Sequence, residues 1–286
     1  MRIRLNNMRR RLPWALFAIL ANAVYAQWLN YPTPGIPRTR DGKANLTAPA
    51  PRAPNGIPDL SGVWHVQATP LEEQKRLFGA AIESTALPGM EPDTISKYVL
   101  NILADFKPED SPMRPEAAAL LRQRTQQDRP SLNCLPWGVP ASTLFAPVHK
   151  IVQTPGLIVI MLEVDSGATR QIYTDGRKLP VDPEPLWYGY SVGKWEGDTL
   201  VVETAGFNDK SWLDSMGHPH SEAMRVVERY RRRDFGHLDV EITIDDPKMY
   251  IKPFTIKVTH LLQADMDILE YFCAENEKDR LHTASK

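Results

Sequence analysis

Gly189-Tyr190-Ser191-Val192-Gly193-Lys194-Trp195-Glu196-Gly197-Asp198-Thr199-Leu200-Val201-Val202-Glu203-Thr204 is the stretch that decides the fold. Two runs rich in aromatic and β-branched residues, Tyr188 to Trp195 and Thr199 to Thr204, flank Glu196-Gly197-Asp198, and an Asp/Gly turn between such runs is a strong hairpin signal. Downstream, Arg225 to Asp234 and His237 to Asp245 are joined by Phe235-Gly236, and Thr255 to Gln263 is followed by a last run, Asp267 to Phe272. The alternation in Asp239-Val240-Glu241-Ile242-Thr243-Ile244 predicts one wet and one buried face. Upstream, Lys150 to Thr154, Gly156 to Val164 and Arg170 to Thr174 are short strands separated by Pro155-Gly156, by Asp165-Ser166-Gly167 and then by Asp175-Gly176-Arg177. With Ser61 to Gln67 as a first strand, the pattern is that of a mainly β chain. Seven to nine consecutive antiparallel strands form a meander that closes into a barrel or a strongly coiled sheet. Closure also removes exposed sheet edges.

Between the first strand and the rest lies a helical insertion at about residues 68–130. Pro70 to Ala81, Asp93 to Phe106 and Pro115 to Gln127 carry helical patterns, with apolar Ile95, Tyr98, Val99, Ile102 and Leu103 in the second. Asp93 suits an N-cap and Pro115 a first-turn proline. Residues 27–60 read as a Pro-rich extended arm that buries too little to fold alone. The arm repeats itself, since Pro37-Arg38-Thr39-Arg40-Asp41-Gly42-Lys43-Ala44-Asn45-Leu46 is echoed by Pro51-Arg52-Ala53-Pro54-Asn55-Gly56-Ile57-Pro58-Asp59-Leu60. It either trails as a linker or wraps the body, with Trp28 and Tyr31 as anchors. Residues 61–286 then form one domain.

Residues 1–26 read as a signal peptide. Arg2, Arg4, Arg9, Arg10 and Arg11 are followed by a short apolar run, Leu12 to Val24, and by Val24-Tyr25-Ala26. The run falls short of the roughly 20 residues a bilayer span needs. A periplasmic or secreted location is therefore expected, with no membrane span once the signal is removed. In an oxidising compartment Cys134 and Cys273 are expected to pair, the alternative being two separate buried thiols. The 286 residues carry a formal net charge of -1 with 42% hydrophobic content and 25 prolines. That balance fits one sizeable domain and gives no basic stripe for nucleic acid. Arg231-Arg232-Arg233 alternates across a strand, so Arg232 should face away from its neighbours.

Gly62-Val63-Trp64 opens the first strand after an irregular arm and resembles the start of lipocalin-type barrels, in which the tryptophan closes the barrel floor. An ordinary core tryptophan is the alternative. Gly189 to Thr204, with Gly206-Phe207-Asn208-Asp209, Gly217-His218-Pro219-His220-Ser221-Glu222, Cys134-Leu135-Pro136 and the Arg229 to Asp234 run, resembles a group of secreted bacterial proteins of uncharacterised function. That resemblance implies export and brings no activity with it.

The chemistry must come from residues. His218, His220 and Glu222 alternate, which on an extended segment places them on one face. Two imidazoles and a carboxylate suit a divalent metal, metal-free acid-base chemistry, or a polar loop held by structural hydrogen bonds. Asp209 and Asp214 are near enough to orient them. A second cluster is Arg170, Tyr173, Asp175 and Arg177, where an arginine can grip an anion bidentately or the aspartate can simply turn a hairpin. Trp187, Tyr190, Trp195 and Trp212 supply aromatic surface for a ring-bearing ligand or for the core. Gly-x-Ser-x-Gly, P-loop, Gly-x-Gly-x-x-Gly and His-Glu-x-x-His motifs do not occur.

Two functions follow as expectations. One is an exported barrel holding a small molecule in an aromatic-lined, partly polar pocket. The other is a hydrolase or lyase in which His218 or His220 moves a proton, Glu222 or Asp175 orients it, and Arg177 or Arg170 stabilises negative charge. No cofactor is implied beyond a divalent metal on the histidine loop, and the oligomeric state stays open.

Overall fold

The structure, a computed structural model, describes residues 32–79, 82, 95–145, 148–165 and 168–273. The signal peptide, Trp28, Tyr31 and Asp93 lie outside these residues. Nine strands, β1 (Gly62–Val66), β2 (His149–Thr154), β3 (Leu157–Leu162), β4 (Thr169–Tyr173), β5 (Tyr190–Glu196), β6 (Thr199–Ala205), β7 (Arg225–Arg232), β8 (His237–Asp245) and β9 (Phe254–Leu262), form a closed barrel in sequence order. The hairpin read from Gly189 to Thr204 is there, with Glu196 opposite Thr199 across Gly197-Asp198.

The meander is not antiparallel throughout. β4 and β5 run parallel, pairing only at Ile172 with Ser191 and Tyr173 with Val192. The reason is parity: nine strands alternating up and down cannot close into a ring without one parallel neighbour pair. Residues 174–189, too long for a tight hairpin, let the chain return to the end from which β4 started. The expected last strand, Asp267 to Phe272, does not form. β9 already pairs with β8 on one side and β1 on the other, so the ring offers that segment no edge. The tail crosses the outside instead, with Lys150 Nζ on Asp267 at 2.7 Å and the Leu269 N–H on Glu163 at 2.9 Å.

The inward faces are filled. Along β8, Leu238, Val240, Ile242 and Ile244 are all buried, each worth about 1.5–3 kcal/mol against exposure. Trp64 is fully buried, its indole N–H donating to the Leu60 carbonyl at 3.0 Å. Arg232 lies over its ring at 4.8 Å and donates to the carbonyls of Asp59, Ser61 and Phe235. Arg232 is buried while Arg231 and Arg233 are exposed, as strand alternation requires.

The arm wraps the body at this end of the barrel. Its two repeats fold into similar small loops, in which Asn45 N–H reaches the Pro37 carbonyl and Asp59 N–H the Pro51 carbonyl. In each loop the arginine bonds its own glycine carbonyl and a barrel aspartate, Arg38 with Gly42 and Asp265, Arg52 with Gly56 and Asp198. Gly236 receives the arm: a Cβ there would lie 2.5 Å from the Leu46 side chain.

The insertion runs past the expected end near residue 130 as far as β2, and contains α1 (Leu71–Phe78), α2 (Lys97–Leu100), α3 (Pro115–Gln123) and α4 (Ala141–Leu144). α2 is far shorter than the Asp93 to Phe106 pattern suggests. Its continuation is diverted, because the Ile102 N–H donates to Asp214 at 2.6 Å instead of to a helical carbonyl. Tyr98, Val99, Ile102 and Leu103 are still buried, so the apolar spacing found the core without a helix to carry it. No described helix is long and apolar enough to cross a membrane. Cys134 and Cys273 form a disulfide with Cα atoms 5.5 Å apart, tying the insertion to the tail.

Candidate functional site

The loop from β6 to β7, residues 206–224, closes the barrel end opposite the arm. Its organiser is Asp214, whose carboxylate accepts the N–H groups of Ile102, Met216, Gly217 and His218 and takes His218 Nδ1 at 2.5 Å. A short acidic side chain suits this role because it can bond backbone two to four residues on. Asp246 does the same for the next turn, accepting Ser221 N–H at 2.5 Å and Ser221 hydroxyl at 2.8 Å. The Tyr250 hydroxyl donates to the Pro219 carbonyl at 2.9 Å, which sets the bend between the histidines.

His218 and His220 are both buried, yet they serve different partners. His218 faces Asp214, whereas His220 Nε2 lies 2.7 Å from Ser211 Oγ and its ring meets Phe207 edge-on. Burial pushes the His220 pKa down to about 4, leaving the ring neutral at pH 7. Glu222 does not join them. It is exposed, because the chain bends at Pro219 and turns at Ser221 and loses the period-two geometry of an extended strand. Asp209 is exposed as well. Among the described residues no three His, Cys, Asp or Glu side chains gather into a metal-binding group.

The arginine cluster also divides. Arg170 points into the barrel, where it pairs with Glu228 and bonds Ser191 and Thr204 hydroxyls at 3.2 and 2.8 Å. Tyr230 completes this buried network by donating to Glu228 at 2.7 Å. Tyr173, Asp175 and Arg177 stay together on the outside with Tyr190. Tyr173 and Tyr190 stack at 5.2 Å, and the Arg177 guanidinium covers the Tyr173 ring at 3.8 Å. Arg177 also grips Asp175 and donates to the Tyr190 hydroxyl at 3.1 Å. Hydrogen bonding from Arg177 holds the Asp175 pKa below the ordinary carboxylate range.

This cluster borders a cleft of about 620 Å³ that opens where β4 leaves β5, lined by Thr174, Arg177, Lys178, Lys194, Trp195 and Arg225 among others. Lys178, Lys194 and Arg225 have no ion-pair partner among the described residues. A second open cleft of about 670 Å³ lies on the outer wall between α1, α2 and strands β7 to β9. Its charges largely neutralise one another: Lys97 with Glu73 and Asp105, Arg229 with Glu196, Lys257 with Glu241.

The tryptophans are dispersed. Trp195 is at the seam cleft, Trp187 is half-buried beside the 206–224 loop, and Trp212 is buried beneath Arg124 at 5.2 Å. Sequence reasoning missed Ser211 and Asp246 because neither has a motif around it; only the fold brings Asp246, 25 positions away, to Ser221. Comparison with protein-family models, curated proteins and solved structures finds no match for this chain.

Proposed function

We propose that this chain is an exported, lipocalin-like barrel of the secreted group its sequence resembles, and that it binds a small ring-bearing acid in the cleft at the β4–β5 seam. The carrying observation is the lining of that cleft: Trp195 with four cations, Arg177, Lys178, Lys194 and Arg225, against two carboxylates, Glu196 and Glu203, while the Tyr173–Tyr190 stack backs Arg177 at its border. Its volume falls in the range of small-molecule sites, about 300–1,000 Å³. A filled barrel interior moves the ligand to the outer wall, and the seam, where β4 and β5 pair at only two positions, leaves neighbouring strands apart along most of their length. Arg177 is held rigid by Asp175 and Tyr190, so little side-chain freedom is lost on binding. A periplasmic or secreted location is supported by the N-terminal pattern and by the Cys134–Cys273 disulfide.

The test is calorimetric titration with three probes of similar size: an aromatic carboxylate, a neutral aryl glycoside and a sterol. The carboxylate should bind best, and Trp195→Ala and Lys194→Ala should each weaken it by about tenfold, the equivalent of 1.4 kcal/mol. Binding of the carboxylate by both variants as tight as by the wild type, or binding of none of the probes, would overturn the reading.

A further inference from the structure

The 206–224 loop holds a hydroxyl that ligand binding at the seam does not use. Ser211 Oγ lies 2.7 Å from His220 Nε2, and both residues are buried. The other ring nitrogen, Nδ1, faces the Ser221 carbonyl at 3.4 Å, an oxygen that can only accept. The tautomer that serves both contacts carries its proton on Nδ1 and leaves Nε2 to accept from the serine hydroxyl. The orienting carbonyl is itself fixed, because Asp246 holds both the N–H and the hydroxyl of Ser221. Nucleophile, base and orienting acceptor thus stand in hydrogen-bonded series, the arrangement by which a serine is activated.

A strap of chain covers the pair. Gly138, at φ +73°, approaches so closely that a Cβ there would sit 2.5 Å from Ser211 Oγ and 3.1 Å from the Trp187 carbonyl. Residues 135–138 form no regular secondary structure. They are fastened by the Cys134–Cys273 disulfide, by the Trp137 N–H on Asp165 at 3.2 Å, and by the Trp137 ring between Phe145 at 4.3 Å and Arg129 at 4.6 Å. Segments with so few main-chain bonds open at lower cost than a barrel wall.

We propose that Ser211 is a nucleophile with His220 as its general base, masked by the 134–138 strap, and that displacing the strap exposes a site that hydrolyses a small carboxylic ester. Ser211 Oγ bonds to the acyl carbon as its proton passes to His220 Nε2. The acyl carbon–alkoxy oxygen bond breaks, and the alcohol leaves with that proton. Water then attacks the acyl-serine, giving its proton to His220, and the acid leaves as Ser211 regains its hydrogen.

The experiment treats the full chain with a fluorophosphonate, which forms an Oγ–P bond and releases fluoride, and maps the adduct by mass spectrometry. The disulfide-bonded protein, the protein reduced with a thiol, and a Trp137→Ala variant that keeps the disulfide are compared, with circular dichroism confirming the fold. The adduct should map to Ser211, form about tenfold or more faster in the two loosened states, and slow by about 100-fold in His220→Gln. Folded protein with no Ser211 adduct in any of the three states, or an adduct that forms as fast in His220→Gln as in the wild type, overturns the proposal.

Discussion

Replacing Glu228 by Gln should be among the most damaging single changes in the barrel. Glu228 is fully buried and accepts two hydrogen bonds from the Arg170 guanidinium and one from the Tyr230 hydroxyl. Glutamine keeps the shape and removes the charge, so the buried guanidinium loses its counter-ion and keeps only the Ser191 and Thr204 hydroxyls. Breaking a buried pair by removing one partner costs about 3–5 kcal/mol. At about 2–4 °C per kcal/mol for a domain of this size, the melting temperature should fall by roughly 10 °C. The double variant Arg170→Met/Glu228→Leu removes both charges with similar volume and should recover most of the loss. Urea denaturation of the wild type, Arg170→Met, Glu228→Leu and the double variant, followed by circular dichroism, gives the coupling energy, with Glu228→Gln measured beside them. A cost below about 1 kcal/mol for Glu228→Gln, or a double variant no more stable than the single, would refute the account of this pair as a desolvated, mutually dependent unit.

Acid should destabilise the fold before its carboxylates titrate. Burial pushes the His149 pKa from the ordinary 6.5 down to about 3 and that of His220 to about 4, with His260 also well below its usual value. The unfolded chain therefore binds more protons, and stability present above the unfolded value is lost as pH falls from 6.5 toward 4. A urea midpoint unchanged between about pH 7.5 and about pH 4.5 would contradict this. Replacing Cys134 and Cys273 by Ser opens a 139-residue separation, worth about 5 kcal/mol in the chain-entropy description, which a shift in the urea midpoint measures directly. Arg232→Met should free the arm, since the bonds to the Asp59 and Ser61 carbonyls vanish; at roughly 1.5–3 kcal/mol for hydrogen bonds to a charged group, hydrogen exchange across residues 51–61 should accelerate well beyond that of β8. Uniform exchange in both segments would show that the arm is held by other contacts.

The strands were legible in the sequence because each needs only local information: period-two alternation in β8, an Asp/Gly turn in the β5–β6 hairpin, a buried alternate face that pins register. The cysteines were legible as a pair because there were only two. The repeat in the arm was also visible, though not its use, because Asp198 and Asp265 lie far along the chain from Arg52 and Arg38. Helix lengths were overestimated where a distant acceptor intervened, as at Ile102, whose N–H is claimed by Asp214.

What the chain by itself determined is a mainly β domain with a helical insertion, because side-chain periodicity and turn chemistry act between near neighbours. What only the tertiary structure decided is the ring and everything that follows from it. Closing nine strands demanded one parallel seam and opened the cleft there, and it left the tail no edge to pair with. The same closure sent Arg170 inward to Glu228 while Tyr173 and Arg177 stayed outside, and it brought Ser211 to His220 beneath Gly138. The Arg170–Glu228 and Gly138–Ser211 contacts join residues separated by tens of positions, and Ser211 meets His220 only because the loop between them folds back, so their geometry is set by the tertiary structure and by the cost of leaving buried polar groups unpaired, not by a motif along the chain.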